Sequence, residues 1–157
     1  ASNERRFLGF SNEDTGFDPD LYKGKVIVST VHKAKGLEWD RVYILSVNNY
    51  DFPSVEPGYS FISERWFIRD KLNLRAETIR RLEALLRDDK PGVFMEEGLA
   101  TRESRLEYAS ECLRLLFVGI TRARKELMIT SNNGKRGDAR PALPLSVLYE
   151  FWKEKLS

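Results

Sequence analysis

The chain has 157 residues, enough for one domain with its own core, and its 41% hydrophobic and 32% charged residues are ordinary for a soluble globular protein. Lys and Arg total 26 against 24 Asp and Glu, so a net charge of +2 does not by itself imply a nucleic-acid partner. The single cysteine, Cys112, excludes an internal disulfide, and no apolar run approaches the ~20 residues of a membrane span, so a cytoplasmic protein is expected.

In chain order, residues 1–24 cluster Gly, Asp, Asn and Pro and start without methionine; they are expected to be a linker or the truncated edge of a larger protein. "KVIVSTV", residues 25–31, and "RVYILSV", residues 41–47, are short runs rich in β-branched and aliphatic side chains. Apolar on both faces, they suit strands buried on both sides of a parallel sheet. They lie close together in sequence, so they can be parallel neighbours only if the polar link crosses over compactly. "NNYDFPSVEPGYS", residues 48–60, reads as a loop.

From Phe61 to about Asp88 the spacing of Ile62, Trp66, Ile79, Leu82, Leu85 and Leu86 predicts helix, with Arg80, Arg81 and Arg87 on other faces. A stronger helix follows, with Leu106, Ala109, Leu113, Leu116, Phe117 and Ile120 on one core-facing stripe. "ELMITS", residues 126–131, reads as a third buried strand, "NNGKRGDARPALP" as a loop and "LSVLYEFWKEKL" as a closing amphipathic helix. Buried strands alternating with helices predict an α/β fold with a mainly parallel sheet flanked by helices.

Two polar patches lie at the ends of predicted elements, where ligands collect in such sheets. The first, residues 30–38, gathers Thr30, His32, Lys33, Lys35, Gly36 and Glu38 after the first strand. Gly36 permits a tight turn and close backbone approach, and freed N–H groups there suit an anion. The same residues also fit one solvated helical turn with a core histidine. The second patch, "GITRARKEL", sets Arg122, Arg124 and Lys125 at the end of the strong helix. Cations there complement the helix dipole, and an arginine held rigidly there also matches phosphate oxygens with its planar donors.

Together the patches resemble a known family. "TVHKAKGLEWDRVYIL" is similar to motif V, and "ECLRLLFVGITRARKELMIT" to motif VI, of the UvrD/Rep-type superfamily 1 helicases, and "RPALPLSVLYEFW" resembles the helix that often follows motif VI. The resemblance implies a RecA-like (P-loop NTPase-type) fold over residues 25–157, with a loop and helical insertion at about 48–100. This would be the second such domain of a longer polypeptide, facing an upstream RecA-like domain across a cleft that holds ATP and Mg2+.

By position, the resemblance puts Thr30 and His32 near the backbone of single-stranded DNA, and Gly36, Glu38 and Lys35 by the nucleotide, with Glu38 near its sugar. Arg122 would be the catalytic arginine finger on the γ-phosphate, and Arg124 a frequent second arginine without an assigned role. No residue is implied as a metal ligand. Translocation 3′ to 5′ on single-stranded DNA, unwinding of double-stranded DNA and a nucleoid-associated place in the cytoplasm are implied in the same way.

"GxxxxGK[ST]" and an acidic Walker B strand are absent, so the chain alone is expected neither to hydrolyse ATP nor to unwind DNA. Glu111 stands where the acidic lead-in to motif VI begins, but Cys112 and Leu113 fill the next places, and no role for an acidic pair carries over. The stretch between the motifs, with Trp66, Phe67 and several arginines, suits either a single-stranded DNA contact or an amphipathic face packed on the core. A second function fits the same motifs: a helicase-derived, non-catalytic module that binds nucleic acid or protein. A small α/β enzyme using His32 and Cys112 fits poorly, because Cys112 sits beside core positions on its helix.

Overall fold

The computed structural model describes Tyr22 and residues 24–54, 61–135 and 137–156; most of the predicted 1–24 linker lies outside them. The elements are β1 (Trp39–Ile44), β2 (Ile68–Arg69), β3 (Leu72–Asn73), α1 (Leu74–Leu86), α2 (Lys90–Val93), α3 (Leu99–Ile120), β4 (Ala123–Ile129) and α4 (Leu143–Leu156). The described residues up to Ile44, with Arg114–Thr130, form one compact unit; those of Leu45–Leu113 and Ser131–Ser157 form another. No helix among the described residues is long and apolar enough to cross a membrane.

In the first unit β1 and β4 pair in parallel, with Arg41 opposite Glu126, Val42 opposite Leu127 and Ile44 opposite Ile129. The ladder starts at the Trp39 N–H, which donates to the Arg122 carbonyl (2.9 Å), and finishes where the Thr130 N–H donates to the Ile44 carbonyl (2.9 Å). The end of α3 packs on β1 at Gly119, where a Cβ would come within 3.0 Å of Ile44 Cδ1 and 3.7 Å of Val31 Cγ1. The fold is α/β with a parallel sheet and helices, as the alternation of elements predicts.

Two strand expectations need correction. Residues 25–31 form no strand among the described residues; Val26 is 93% and Val28 74% exposed. A parallel strand needs ladder partners and cover on both faces, and β1 shares its described ladder with β4 alone. Nor are β1 and β4 buried on both sides: Tyr43, Leu127 and Met128 are exposed.

In the second unit the predicted helix over 61–88 breaks into parts. Ile62–Glu64 is a single 3-10 turn, β2 and β3 form an antiparallel hairpin, and only Leu74–Leu86 is α-helical. The insertion is therefore not purely helical. Asp70 (φ 51°) and Lys71 (φ 69°) turn the hairpin, the paired left-handed geometry that two-residue hairpin loops favour. Asn73 caps α1, its side chain accepting from the Ala76 N–H (3.1 Å). The predicted stripe Ile79, Leu82, Leu85 and Leu86 is exposed, and so are Leu106 and Leu113 of the α3 stripe, whereas Cys112 is buried; in the part of α3 that belongs to the first unit, Phe117 is exposed and Leu116 buried.

A charged cluster fills part of this core. Glu64 accepts from Arg105 Nε (2.6 Å) and from Asn73 Nδ2 (3.1 Å). Thr101 donates its hydroxyl to Glu77 (2.8 Å) and accepts the Asn73 N–H (3.0 Å), while Arg81 also pairs with Glu77 (3.2 Å). Burial of both carboxylates is tolerable because each is met by several donors. Elsewhere in this unit, residues 47–49 and 140–142 are laced by backbone bonds, including Ala142 N–H to the Val47 carbonyl (3.1 Å), ahead of α4.

Candidate functional site

The segment between residues 29 and 39 is a tight turn rather than a strand end. The Thr30 carbonyl accepts from the Lys33 N–H (3.1 Å) and the Ala34 N–H (3.2 Å), and the Leu37 N–H returns to the Ala34 carbonyl (3.1 Å). His32–Ala34 is thus one 3-10 turn, with Ala34 its buried residue. Gly36 follows at φ 83° with open space around it, so the glycine serves the backbone conformation rather than a close neighbour. Thr30, His32, Lys35, Gly36 and Glu38 are all exposed.

At the end of α3 the chain leaves the helix through Thr121 and Arg122. The Thr121 N–H takes the Phe117 carbonyl (3.0 Å) and the Arg122 N–H takes that of Gly119 (3.2 Å), which leaves the Val118 carbonyl without a backbone donor. Helix ends leave such orphan acceptors. Arg122 Nε (3.0 Å) and the Thr121 hydroxyl (3.0 Å) fill that role.

Arg122 then ties the two patches together. Its Nη1 donates to the Leu37 carbonyl (3.1 Å), its Nη2 to the Thr121 hydroxyl (3.0 Å), and its own carbonyl accepts from Trp39. The guanidinium, half-buried, spends three of its five donors on neutral acceptors and meets no carboxylate among the described residues.

The neighbouring cations differ. Arg124 pairs with Glu38 (3.4 Å), Lys125 with Asp40 (2.7 Å) and Arg41 with Glu126 (2.8 Å). The hydrogen bond from Lys125 holds the Asp40 carboxyl below its usual range. Unlike these three, Arg122 pairs with no carboxylate among the described residues.

Of the residues singled out by sequence, Gly36, Glu38, Arg122 and Arg124 lie in one connected stretch: Arg122 bonds the residue before Glu38 while Arg124 pairs with Glu38 itself. The side chains of Thr30, His32 and Lys35 make no hydrogen bond or ion pair among the described residues and stand open on the turn. Sequence reasoning passed over Thr121, which shares Arg122's acceptor, and Trp39, whose enclosed indole N–H has no acceptor among the described residues. The adjacency of Thr121 to Arg122 was the available signal for the first; none pointed to the second. Cys112 is buried and its thiol pushed up by that burial, which disfavours a nucleophile.

The profile of the UvrD-like helicase C-terminal domain matches residues 8–134. The chain is 30% identical over 142 residues to an ATP-dependent helicase/nuclease subunit of Streptococcus thermophilus (strain ATCC BAA-491 / LMD-9), covering 83% of this chain and 11% of that protein. It is 33% identical over 145 residues to the protein of the same name from Streptococcus equi subsp. zooepidemicus (strain MGCS10565), with 83% and 11% covered. For that of Enterococcus faecalis (strain ATCC 700802 / V583) the identity is 29% over 135 residues, with 81% and 10% covered. The chain therefore spans about a tenth of the length of the relatives it matches. It belongs to the family of UvrD-like helicase C-terminal domains.

Proposed function

We propose that this chain supplies half of an ATPase site in a DNA helicase or translocase, with Arg122 acting on the γ-phosphate of ATP. The observation that carries this is the uncompensated guanidinium of Arg122, fixed by three neutral acceptors beside the exposed turn around Gly36. Phosphoryl transfer needs mainly positioning and charge stabilisation, and an arginine brought across a cleft contributes ~10³–10⁵ in rate. Two unused donors remain for phosphate oxygens, and a carboxylate partner would have cancelled the charge they carry.

In this reading Gly36, Lys35 and Glu38 lie along the nucleotide, with Glu38 beside the sugar and Arg124 holding its carboxylate. Thr30 and His32, open at the start of the turn, meet the backbone of single-stranded DNA. The described residues offer no group of three His, Cys, Asp or Glu side chains that could hold a metal; magnesium, which would offset phosphate charge, and most of the ATP belong to an upstream RecA-like domain of the same polypeptide. Closure of that domain on Arg122 would couple nucleotide state to a step along DNA, 3′ to 5′. The exposed apolar faces of α1 and the 25–31 run would be covered by the rest of the polypeptide.

One observation favours a second reading. Arg122 also caps the Val118 carbonyl, a role that a non-catalytic module binding nucleic acid or protein would need equally. The test compares ATP hydrolysis, with and without single-stranded DNA, by the full-length protein and by this chain alone. DNA-stimulated hydrolysis by the full-length protein and none by the chain supports the half-site. No hydrolysis by the full-length protein supports the binding module instead.

A further inference from the structure

The hairpin of the second unit carries an exposed surface that the half-site leaves unused. Trp66, just before β2, is 79% exposed, and Phe67 and Ile68 are also open to solvent. Large aromatics of a packed insertion would be inside, as Phe61 is, tilted against Tyr108 at 6.2 Å. Here they are dressed with cations instead. The Arg65 guanidinium lies 4.6 Å from the Trp66 ring centre, and that of Arg75 lies 5.3 Å from the Phe67 ring.

Charge on this surface is one-sided. Arg65, Arg69, Lys71 and Arg75 are exposed along the same stretch of chain, and the one exposed acid among residues 64–77 is Asp70 at the tip, 3.8 Å from Arg69. The other two acids of that stretch, Glu64 and Glu77, are buried and spent on Arg105, Asn73, Thr101 and Arg81. Two further bonds anchor the base of the hairpin: the Asn73 N–H is held by Thr101, and the Phe67 carbonyl accepts from the Leu74 N–H (3.0 Å). A rigid base lowers the ordering cost of a contact made at its tip.

From this arrangement we infer that the β2–β3 hairpin and the preceding Arg65–Trp66 pair form a second contact for single-stranded DNA, separate from the turn at Thr30 and His32. Bases stack on the open face of Trp66 and on Phe67, while Arg65, Arg69, Lys71 and Arg75 take the phosphates. Every base has a π-face and every linker a negative charge, so this surface grips strands without reading sequence. A protein partner would need acidic groups facing four cations; the alternation of ring and cation matches a nucleic acid strand better. The inference rests on the proposed action of the polypeptide on DNA.

The test is binding of a fluorescently labelled oligothymidylate to the full-length protein, measured by anisotropy across a salt series. Trp66→Ala should raise Kd about 5- to 150-fold, the value of one stacked base, and Trp66→Phe should restore most of it. Arg65→Ala should flatten the slope of log Kd against log salt by about 0.7, the share of one phosphate contact. Trp152→Ala, which removes another exposed indole, on α4, should change neither. Wild-type binding that Trp66→Ala leaves within twofold would overturn the hairpin contact, hand the aromatics to a protein partner, and leave the helicase reading standing. An equal loss in Trp152→Ala would also overturn it, and failure of the wild type to bind would overturn both.

Discussion

Replacing Thr101 by valine tests the polar core that carries the hairpin. Thr101 is 2% exposed and Glu77 4%. Its hydroxyl donates to a Glu77 oxygen at 2.8 Å and accepts the Asn73 N–H at 3.0 Å, and valine keeps the shape while losing both. A hydrogen bond to a charged group is worth ~1.5–3 kcal/mol, and a buried N–H left unmet costs ~1–3 kcal/mol. Glu77 keeps the Thr101 N–H (2.9 Å) and Arg81, so part of the first term is retained. A net loss of about 3 kcal/mol is expected.

Urea unfolding followed by circular dichroism should show a midpoint lower by about 1 M or more at unchanged slope. The pH dependence gives a second readout. Burial works to raise the Glu77 carboxyl, but the Thr101 hydroxyl and N–H and Arg81 outweigh it, and the group lies below its ordinary 4.5. A carboxyl depressed in the folded state stabilises the fold above its unfolded pKa and loses that contribution as pH falls through the folded value. Wild-type stability therefore drops as pH falls below 4.5, and Thr101→Val shrinks the Glu77 share of that drop. A loss under about 0.5 kcal/mol, with an unchanged acid limb, would show that water already satisfies these groups and would refute the reasoning.

Two further outcomes follow from the turn and its neighbour. A Cβ at Gly36 meets no atom within 4 Å, yet Gly36→Ala must adopt φ 83°, so thermal melting should report a cost of about 1–2 kcal/mol from backbone strain, and the full-length protein's KM for ATP should rise. Arg124→Ala removes an ion pair whose side chains are both more than half exposed, so stability should change by less than about 1 kcal/mol in the same assay, well below the effect at Thr101.

Much of the fold was legible because it follows from local pattern. β1, β4 and α4 lie within a few residues of where apolar runs and periodicity put them, α3 begins at Leu99, ahead of the Leu106 that opens its expected stripe, and the pairing of Arg122 with the turn before β1 fits the two quoted motifs. The hairpin escaped because Asp70-Lys71 lacks the glycine or asparagine that marks such turns, and Trp66 happened to fit a helical spacing. Residues 25–31 read as a buried strand since their side chains suit one; the chain's own described residues provide no ladder for it. Periodicity reports that α1 has an apolar face, not what covers Leu82 or Leu86. Buried Glu64 and Glu77 were beyond sequence reading, since carboxylates are inside only when distant residues, here Arg105 and Thr101, supply donors.

The central claim is the role of Arg122, and the most direct measurement is DNA-stimulated ATP hydrolysis by the full-length protein as wild type, Arg122→Ala and Arg122→Lys. Both variants lose the bond to the Val118 carbonyl, so a thermal melt and an ATP-binding titration accompany the rates. A fall in kcat of ~10³ or more, with ATP still bound and the fold intact, is what the account predicts. Hydrolysis within a few-fold of wild type would contradict it and leave Arg122 as the cap of α3.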